Sequence, residues 1–228
     1  MITTNFFGKN CHIERDLNDK TNLQQFLNNN SPICFVNQVH SNNVVSITNQ
    51  QQILTHQVSS LPKADAMVSN QPNITLAIVT ADCIPLLFFD TKKQIIGATH
   101  AGFRGAKSGI VENTVIAMQQ LGAKNITACL GPCIRQQSYQ VSNDFYIDFL
   151  QENSQNEQFF VADPNNQHKF LFDLPLYIKH KLKKIAITDI IDNHIDTYSN
   201  PELYHSYRRA THLAVSDYGR NISAISLC

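Results

Sequence analysis

Three side chains that bind transition metals well fall at the ends of apolar, strand-like runs. His40 closes the run 33–39, Cys83 follows Ile74–Thr80, and His100 follows the run 94–99. Two imidazoles and a thiolate make a three-ligand set that leaves a fourth tetrahedral position for water, the stoichiometry of a catalytic zinc site. Their separations along the chain match no short-spaced zinc signature. Spacing alone therefore leaves a second reading open, in which a buried thiol and two structural histidines are unconnected. The same residues also permit metal-free chemistry, with Cys83 as thiolate nucleophile and His100 as its base, cleaving an amide.

Around these three lie groups that hold anions or move protons. Arg104, in Gly102-Phe103-Arg104-Gly105 ahead of a helix, offers a charged fork beside free backbone amides. Arg208 offers a second, set against the ordinary reading of Arg208-Arg209 as solvated surface. Asp82, next to the thiol, is a candidate general acid or base, or simply an acceptor that holds the turn. Gln38 and Ser206 are candidate hydrogen-bonding groups for a substrate. Cys129 and Cys133, across Gly131-Pro132, have no second pair and read as packing thiols.

The elements that must position these groups are mostly strands. Strands are expected at 33–39, Val44–Ile47, 64–68, Ile74–Thr80, 94–99, 126–130, Lys169–Phe172, 185–191 and 222–227, the first two as a hairpin across Ser41-Asn42-Asn43. A helix is expected over 108–121, where Val111, Val115, Met118 and Leu121 recur at three- and four-residue spacing. Ser142 and Asp173 can cap two more, the second with Pro175 in its first turn, and Leu23, Phe26 and Leu27 suggest a short one. Residues 48–60 and 151–167 read as loops. No repeat, linker or composition shift divides the chain, so the expected fold class is α/β: a single domain over 1–228 with a mixed sheet core and packed helices.

Lysine plus arginine equals aspartate plus glutamate at 18 each, so no overall field draws the chain to nucleic acid or to an anionic membrane. The start, MITTNFFGKN, lacks a basic region followed by an apolar segment, and the apolar stretch 74–89 is broken by Thr80, Asp82 and Pro85. A soluble, cytoplasmic protein with neither nucleic-acid nor membrane partners is expected. In that setting the six cysteines are free thiols or ligands rather than a disulfide framework. Nothing in the sequence marks an oligomeric state.

Taken in order, Gln38-Val39-His40, Ala64-Asp65-Ala66, Thr80-Ala81-Asp82-Cys83-Ile84-Pro85, His100-Ala101-Gly102-Phe103-Arg104-Gly105, Gly131-Pro132-Cys133-Ile134 and Ser206-Tyr207-Arg208-Arg209 resemble one family's motifs. It is the bacterial purine nucleoside phosphorylase family, formerly described as a laccase-type multicopper polyphenol oxidase and also called peptidoglycan editing factor. The resemblance implies a fold similar to cysteine-hydrolase-like toxin deamidases, with zinc on His40, Cys83 and His100. It implies purine nucleoside and phosphate as small-molecule partners: phosphorolysis of adenosine, inosine, guanosine or methylthioadenosine to base and (methylthio)ribose 1-phosphate, and hydrolytic deamination of adenosine to inosine. The editing-factor name gives the metal-free Cys83/His100 alternative a substrate class, peptidoglycan precursors. Copper can enter such a site by substitution. Oxidase chemistry fits poorly, because none of the nine histidines is separated from another by a single residue and no methionine lies near Cys83 or His100.

The chain departs from the family pattern in three places. Phe103 stands for a tryptophan and loses the indole donor. Asp196-Thr197 replaces Cys-Thr. Thr4-Asn5-Phe6-Phe7-Gly8 replaces an arginine-bearing glycine-rich segment, which removes any substrate contact that arginine makes.

Overall fold

The computed structural model describes residues 1–11, 23, 25, 27, 31–49, 51–52, 61–216 and 218–228. In chain order its strands are β1 (Ile2–Phe7), β2 (Ile33–Cys34), β3 (Val44–Ile47), β4 (Ala66–Ser69), β5 (Ile74–Thr80), β6 (Ile84–Asp90), β7 (Ile95–Ala101), β8 (Thr127–Leu130), β9 (Gln140–Ser142), β10 (Phe160–Ala162), β11 (Lys169–Phe172), β12 (Ile190–Asp192) and β13 (Asn221–Leu227). The helices are α1 (Phe103–Ser108), α2 (Ile110–Gln120), α3 (Asn143–Glu152), α4 (Leu174–Lys184) and α5 (Tyr207–His212).

β5, β6, β7 and β13 are almost wholly buried, and their near-continuous apolar runs suit strands covered on both faces. They build two packed sheets, one of order β1-β13-β5-β2 and one of order β12-β8-β6-β7-β4-β3, with a small third sheet, β10-β11-β9, beside them. Pairing is mixed: β2/β5, β3/β4 and β8/β12 are parallel and the rest antiparallel. Between the two larger sheets, Leu76 and Ile78 of β5 meet Leu87 of β6 and Ile96 and Ala98 of β7. The opposite face of the six-stranded sheet, through Leu86 and Phe88, packs against Val111, Val115 and Met118 of α2 and Ile178 and Leu182 of α4. The periodicity of α2 is the helical spacing seen in the sequence. Its start is Ile110, not residue 108, because Gly109 at φ 98° ends α1 and begins α2.

The chain passes between the two sheets twice near the candidate residues. β2 lies in the four-stranded sheet and β3 in the six-stranded one, so residues 35–43 make the first crossing. β5 and β6 are divided the same way, and Ala81-Asp82-Cys83 makes the second. The hairpin expected from 33–39 to 44–47 therefore does not form: its two arms pair with β5 and β4 respectively. Two further expectations change. His100 lies inside β7, opposite Pro85 of β6, rather than beyond the strand. β6, hidden in the apolar run, is a strand of its own.

Elsewhere the loop expected at 151–167 contains β10, and the strand expected at 185–191 is reduced to β12, after a left-handed turn at Ala186, φ 61°. Leu23 and Leu27 are helical and buried, while Phe26 lies outside the described residues, as do 50 and 53–60 of the expected 48–60 loop. Among the described residues no helix is long and apolar enough to cross a membrane.

The Gly131-Pro132-Cys133 motif has a packing origin. A Cβ on Gly131 would stand 2.3 Å from Phe6 Cε1 and 2.7 Å from Pro85 Cγ, so β1 can close on β6 only over a bare backbone. Cys133 is fully buried, and burial pushes its thiol far above the ordinary range, which keeps it inert. Gly131→Ala is expected to destabilise the protein by about 1–3 kcal/mol through overpacking, measured as a lowered midpoint in thermal or urea unfolding.

Candidate metal centre

The centre is built outward from a carboxylate. Asp65 has no exposed surface, and both of its oxygens are saturated. Oδ1 accepts from the His40 amide at 3.0 Å and from His100 Nδ1 at 2.8 Å. Oδ2 accepts from the amides of Val39 at 3.2 Å and Ser41 at 2.6 Å and from Ser41 Oγ at 2.8 Å. Burial pushes this carboxyl up, but the His100 and Ser41 hydrogen bonds outweigh it and bring it down from 3.8 to about 2. The same residue accepts the His100 backbone amide on its carbonyl, at 2.7 Å.

That carboxylate fixes two histidines. With Nδ1 committed to Asp65, His100 presents Nε2 to the cleft, a pairing typical of metal-ligating imidazoles. Alternation along β7 sends His100 to the same side as Ile96 and Ala98, so it lies at the end of the inter-sheet core. His40 sits at φ 60°, a left-handed conformation that a side chain rarely adopts, held by three consecutive amides on Asp65. The rings of His40 and His100 meet edge to face, with centroids 4.7 Å apart.

Cys83 enters from the second crossing, after Asp82 turns the chain at φ 86°. Its Sγ is 3.9 Å from His40 Nε2. Room for both comes from Gly102, where a Cβ would lie 2.9 Å from the Cys83 sulfur and 3.1 Å from His40 Cδ2. The donor atoms of His40, Cys83 and His100 all lie within 4.8 Å of one another, with His40 exposed, Cys83 half-buried and His100 buried. Zinc with ordinary nitrogen and sulfur bonds would need separations of about 3.5 Å, so the set fits a tetrahedral ion after a small contraction and is open on the His40 side.

The charges agree. Burial opposes ionisation of the Cys83 thiol, yet His100 and His40 outweigh it and lower it from 9.0 to about 6. Burial likewise opposes protonation of His100, while the Cys83 thiolate and Asp65 raise it from 6.5 to about 9. Near neutral pH the apo site is a thiolate beside an imidazolium.

The other candidate residues divide into committed and free. Asp82 Oδ1 accepts from Thr197 Oγ1 at 2.6 Å, and its Oδ2 from Ser206 Oγ at 3.0 Å and the Arg208 amide at 2.6 Å. Ser206 caps α5, accepting from the Arg209 amide at 3.2 Å. Gln38 uses its side-chain amide as a strand partner, donating to Val79 O at 2.7 Å and accepting from Val79 N at 2.9 Å. Arg208 donates Nη1 to Gln140 O at 2.6 Å and lies 5.4 Å from the Tyr139 ring centroid. Arg209 is spent on the carbonyls of Thr197, Tyr198 and Tyr204. Arg104 is exposed, rests 5.2 Å from the Phe103 ring centroid, and has no hydrogen-bonding or acidic partner among the described residues.

A cleft of about 990 Å³ joins these groups, running past His40, Cys83, His100, Phe103, Arg104 and Tyr139. Tyr139 sits in no recognisable motif. Its placement comes from the aromatic cluster, with ring centroids 5.7 Å from Phe172 and 6.5 Å from Phe145. Asp65 was visible only as part of Ala64-Asp65-Ala66, with no role that sequence could give it. At the departed Asp196-Thr197, Thr197 holds Asp82, and Asp196 accepts from Ser138 Oγ at 2.6 Å.

Two imidazoles and a thiol gathered around one point of an open cleft, on a mixed-sheet α/β scaffold, define a candidate metal-binding protein of the small-molecule kind. The chain belongs to the multi-copper polyphenol oxidoreductase laccase family, whose sequence model matches residues 14–228. It is 38% identical over 190 residues to a purine nucleoside phosphorylase of Rickettsia conorii, covering 83% of this chain and 75% of that one. It is 29% identical over 204 residues to the purine nucleoside phosphorylase YfiH of Escherichia coli, covering 89% and 79%. Among solved structures, the Neisseria meningitidis protein NMB0706 matches with a TM-score of 0.76 at 28% identity, over 96% of this chain and 85% of that one. Bacillus licheniformis YfiH shares the fold, with a TM-score of 0.79 at 24% identity, over 92% and 79%.

Two outcomes follow for the metal. Asp65→Asn, which removes the anion that orients His100 and the His40 turn, should weaken zinc binding about 10–100-fold in chelator competition. Because a ligand imidazole must be neutral, a metal ion bound here would have to displace the His100 proton below pH 9. Affinity should therefore rise with pH through the neutral range, with about one proton released per ion near pH 7.5 when Cys83 is already ionised. Calorimetry in buffers of different ionisation enthalpy measures that proton; none released would contradict the assignment.

Proposed function

We propose that this chain is a cytoplasmic, zinc-dependent purine nucleoside enzyme, folded as one domain over residues 1–228. It cleaves adenosine, inosine, guanosine or methylthioadenosine with phosphate and also deaminates adenosine to inosine. The reading rests on one observation above all: His40, Cys83 and His100 converge at the wall of a cleft large enough for a nucleoside. The relatives named purine nucleoside phosphorylase support it.

In phosphorolysis a phosphate oxygen forms a bond to C1′ of the ribose as the C1′–N9 bond breaks, and the purine leaves with the electron pair and takes up a proton. Arg104, unpaired and facing the cleft, supplies a fork for the phosphate, helped by the backbone near Gly105. Phe103 and Tyr139 offer ring faces on which a purine can stack. Arg208 supplies a second cationic edge. Asp82 acts as a positioning residue, since two of its hydrogen bonds hold the turn that carries Ser206 and Arg208 and the third ties it to Thr197. Zinc, when bound, supplies Lewis acidity on the open side of the three ligands. Copper could occupy the same ligands by substitution. A multicopper centre finds no support, because one His/Cys/Asp/Glu group with ligand geometry occurs among the described residues.

One observation favours a second reading. Asp65, His100 and Cys83 form a line of carboxylate, imidazole and thiol, with the thiol lowered to about 6, the arrangement of a cysteine amide hydrolase. His40 separates the two readings, since that hydrolase does not need it.

Zinc-loaded protein incubated with adenosine, with and without phosphate, should give adenine only with phosphate and inosine in either case. His40→Ala should lose zinc and both activities, and Arg104→Gln should raise the phosphate KM about tenfold with little change in the adenosine KM. A His40→Ala protein that lacks zinc yet cleaves peptidoglycan peptides would establish the hydrolase instead.

A further inference from the structure

The cleft extends beyond what a nucleoside and a phosphate require. At about 990 Å³ it lies at the upper end for small-molecule sites, roughly 300–1,000 Å³. Its lining also includes Val36, Leu61, Val79, Tyr218 and Arg220, here called the Arg220–Tyr218 lobe. Asn221 pairs with Thr80 in register, so Arg220 directly precedes the strand partner of Thr80, which lies three residues before Cys83 in the chain. Arg220 and the three candidate ligands thus line the same cleft.

Arg220 is only partly used. Its Nη1 donates to the carbonyls of Tyr218 at 3.1 Å and Gly219 at 3.3 Å, and its Nη2 to Tyr218 Oη at 3.1 Å. The guanidinium lies 4.2 Å from the Tyr218 ring centroid. Nη2 thus donates once and Nε has no partner among the described residues, so the Nε/Nη2 face keeps donors free. That face is the fork which binds a phosphate or carboxylate bidentately. Arg104 is also unpaired and lines the same cleft, and Arg208 lines it with only its Nη1 engaged, so the cleft holds more open guanidinium edges than inorganic phosphate needs. More than one can be used at once by a ligand carrying its own anion. On a nucleoside, the 5′ carbon can carry that anion without obstructing C1′ or the base.

We infer that the Arg220–Tyr218 lobe is a subsite for an anionic 5′ substituent, so that purine nucleoside 5′-monophosphates are ligands of this cleft, their 5′-phosphate seated on the Nε/Nη2 face of Arg220. The inference rests on the nucleoside reading of the metal-bearing cleft. Calorimetric titration of the zinc-loaded protein with adenosine and with adenosine 5′-monophosphate tests it, beside Arg220→Gln and Arg220→Lys proteins matched for zinc content and melting temperature. The monophosphate should bind the wild type about tenfold more tightly than adenosine does. That ratio should fall to near one in Arg220→Gln and recover in part in Arg220→Lys, which keeps the charge and loses the fork. Equal affinities in the wild type, or a preference that survives Arg220→Gln, would overturn the subsite while leaving adenosine phosphorolysis standing. A raised phosphate KM in Arg220→Gln with an unchanged monophosphate preference would assign Arg220 to the co-substrate and overturn it as well. If the wild type neither binds nor cleaves adenosine, the nucleoside reading falls and the subsite with it.

Discussion

A single buried carboxylate sets the geometry of this protein's centre. Asp65 collects three successive backbone amides, one hydroxyl and one imidazole nitrogen, and has no exposed surface. An anion so placed is stable only because every lone pair it offers is met, and removing any donor leaves charge uncompensated in a low-dielectric interior. The donors are not interchangeable. The amides come from the crossing that carries His40, and the nitrogen belongs to His100 of β7, so satisfying one carboxylate brings two candidate ligands, one from a crossing and one from a strand, into register.

The sheets supply the rest. A strand's interior cannot present three converging polar groups without disrupting its own core, whereas a crossing between sheets can, because its backbone leaves the ladder there. His40 and Cys83 occupy two such crossings, and each lies at or beside a residue with positive φ, His40 itself at 60° and Asp82 at 86°. Conformations of this kind cost on the order of 1–3 kcal/mol each and persist where surrounding contacts over-determine them. Here the contacts are those of Asp65 around His40 and of Thr197, Ser206 and Arg208 around Asp82. The two carboxylates therefore do parallel work, one for each crossing.

This division explains what was legible in the sequence. Apolar runs revealed β5 and the core of β7 and helical spacing revealed α2, because burial acts on residues near one another in the chain. The types and ordered motifs singled out His40, Cys83 and His100 as a possible ligand set. The false hairpin between β2 and β3 came from reading proximity along the chain as pairing; only the partner strands β5 and β4 decide which sheet each arm joins. β6 stayed hidden since Ile74 to Phe89 is apolar nearly throughout, and the turn inside it is made by Asp82 at positive φ rather than by glycine or proline. The commitment of Gln38, Asp82 and Ser206 was equally out of reach, since Gln38 pairs with Val79, 41 residues on, and Asp82 with Thr197, Ser206 and Arg208, 115 to 126 residues on.

The placement of His40 also weighs between the two chemistries that Cys83 and His100 can support. A thiolate nucleophile with a histidine base needs Cys83, His100 and Asp65, all of which would remain if residue 40 pointed away from Cys83 on an ordinary turn. Instead the loop holds residue 40 in a left-handed conformation, three amides are drawn from solvent to keep it there, and Gly102 gives up its side chain to clear space for both the imidazole and the sulfur. A second imidazole 3.9 Å from the thiolate would also hinder the approach of a planar carbonyl to sulfur, whereas the same crowding is what ligation requires. The backbone strain and the lost side chain make sense if three donors must meet at one point, and have no use in a two-residue nucleophilic pair.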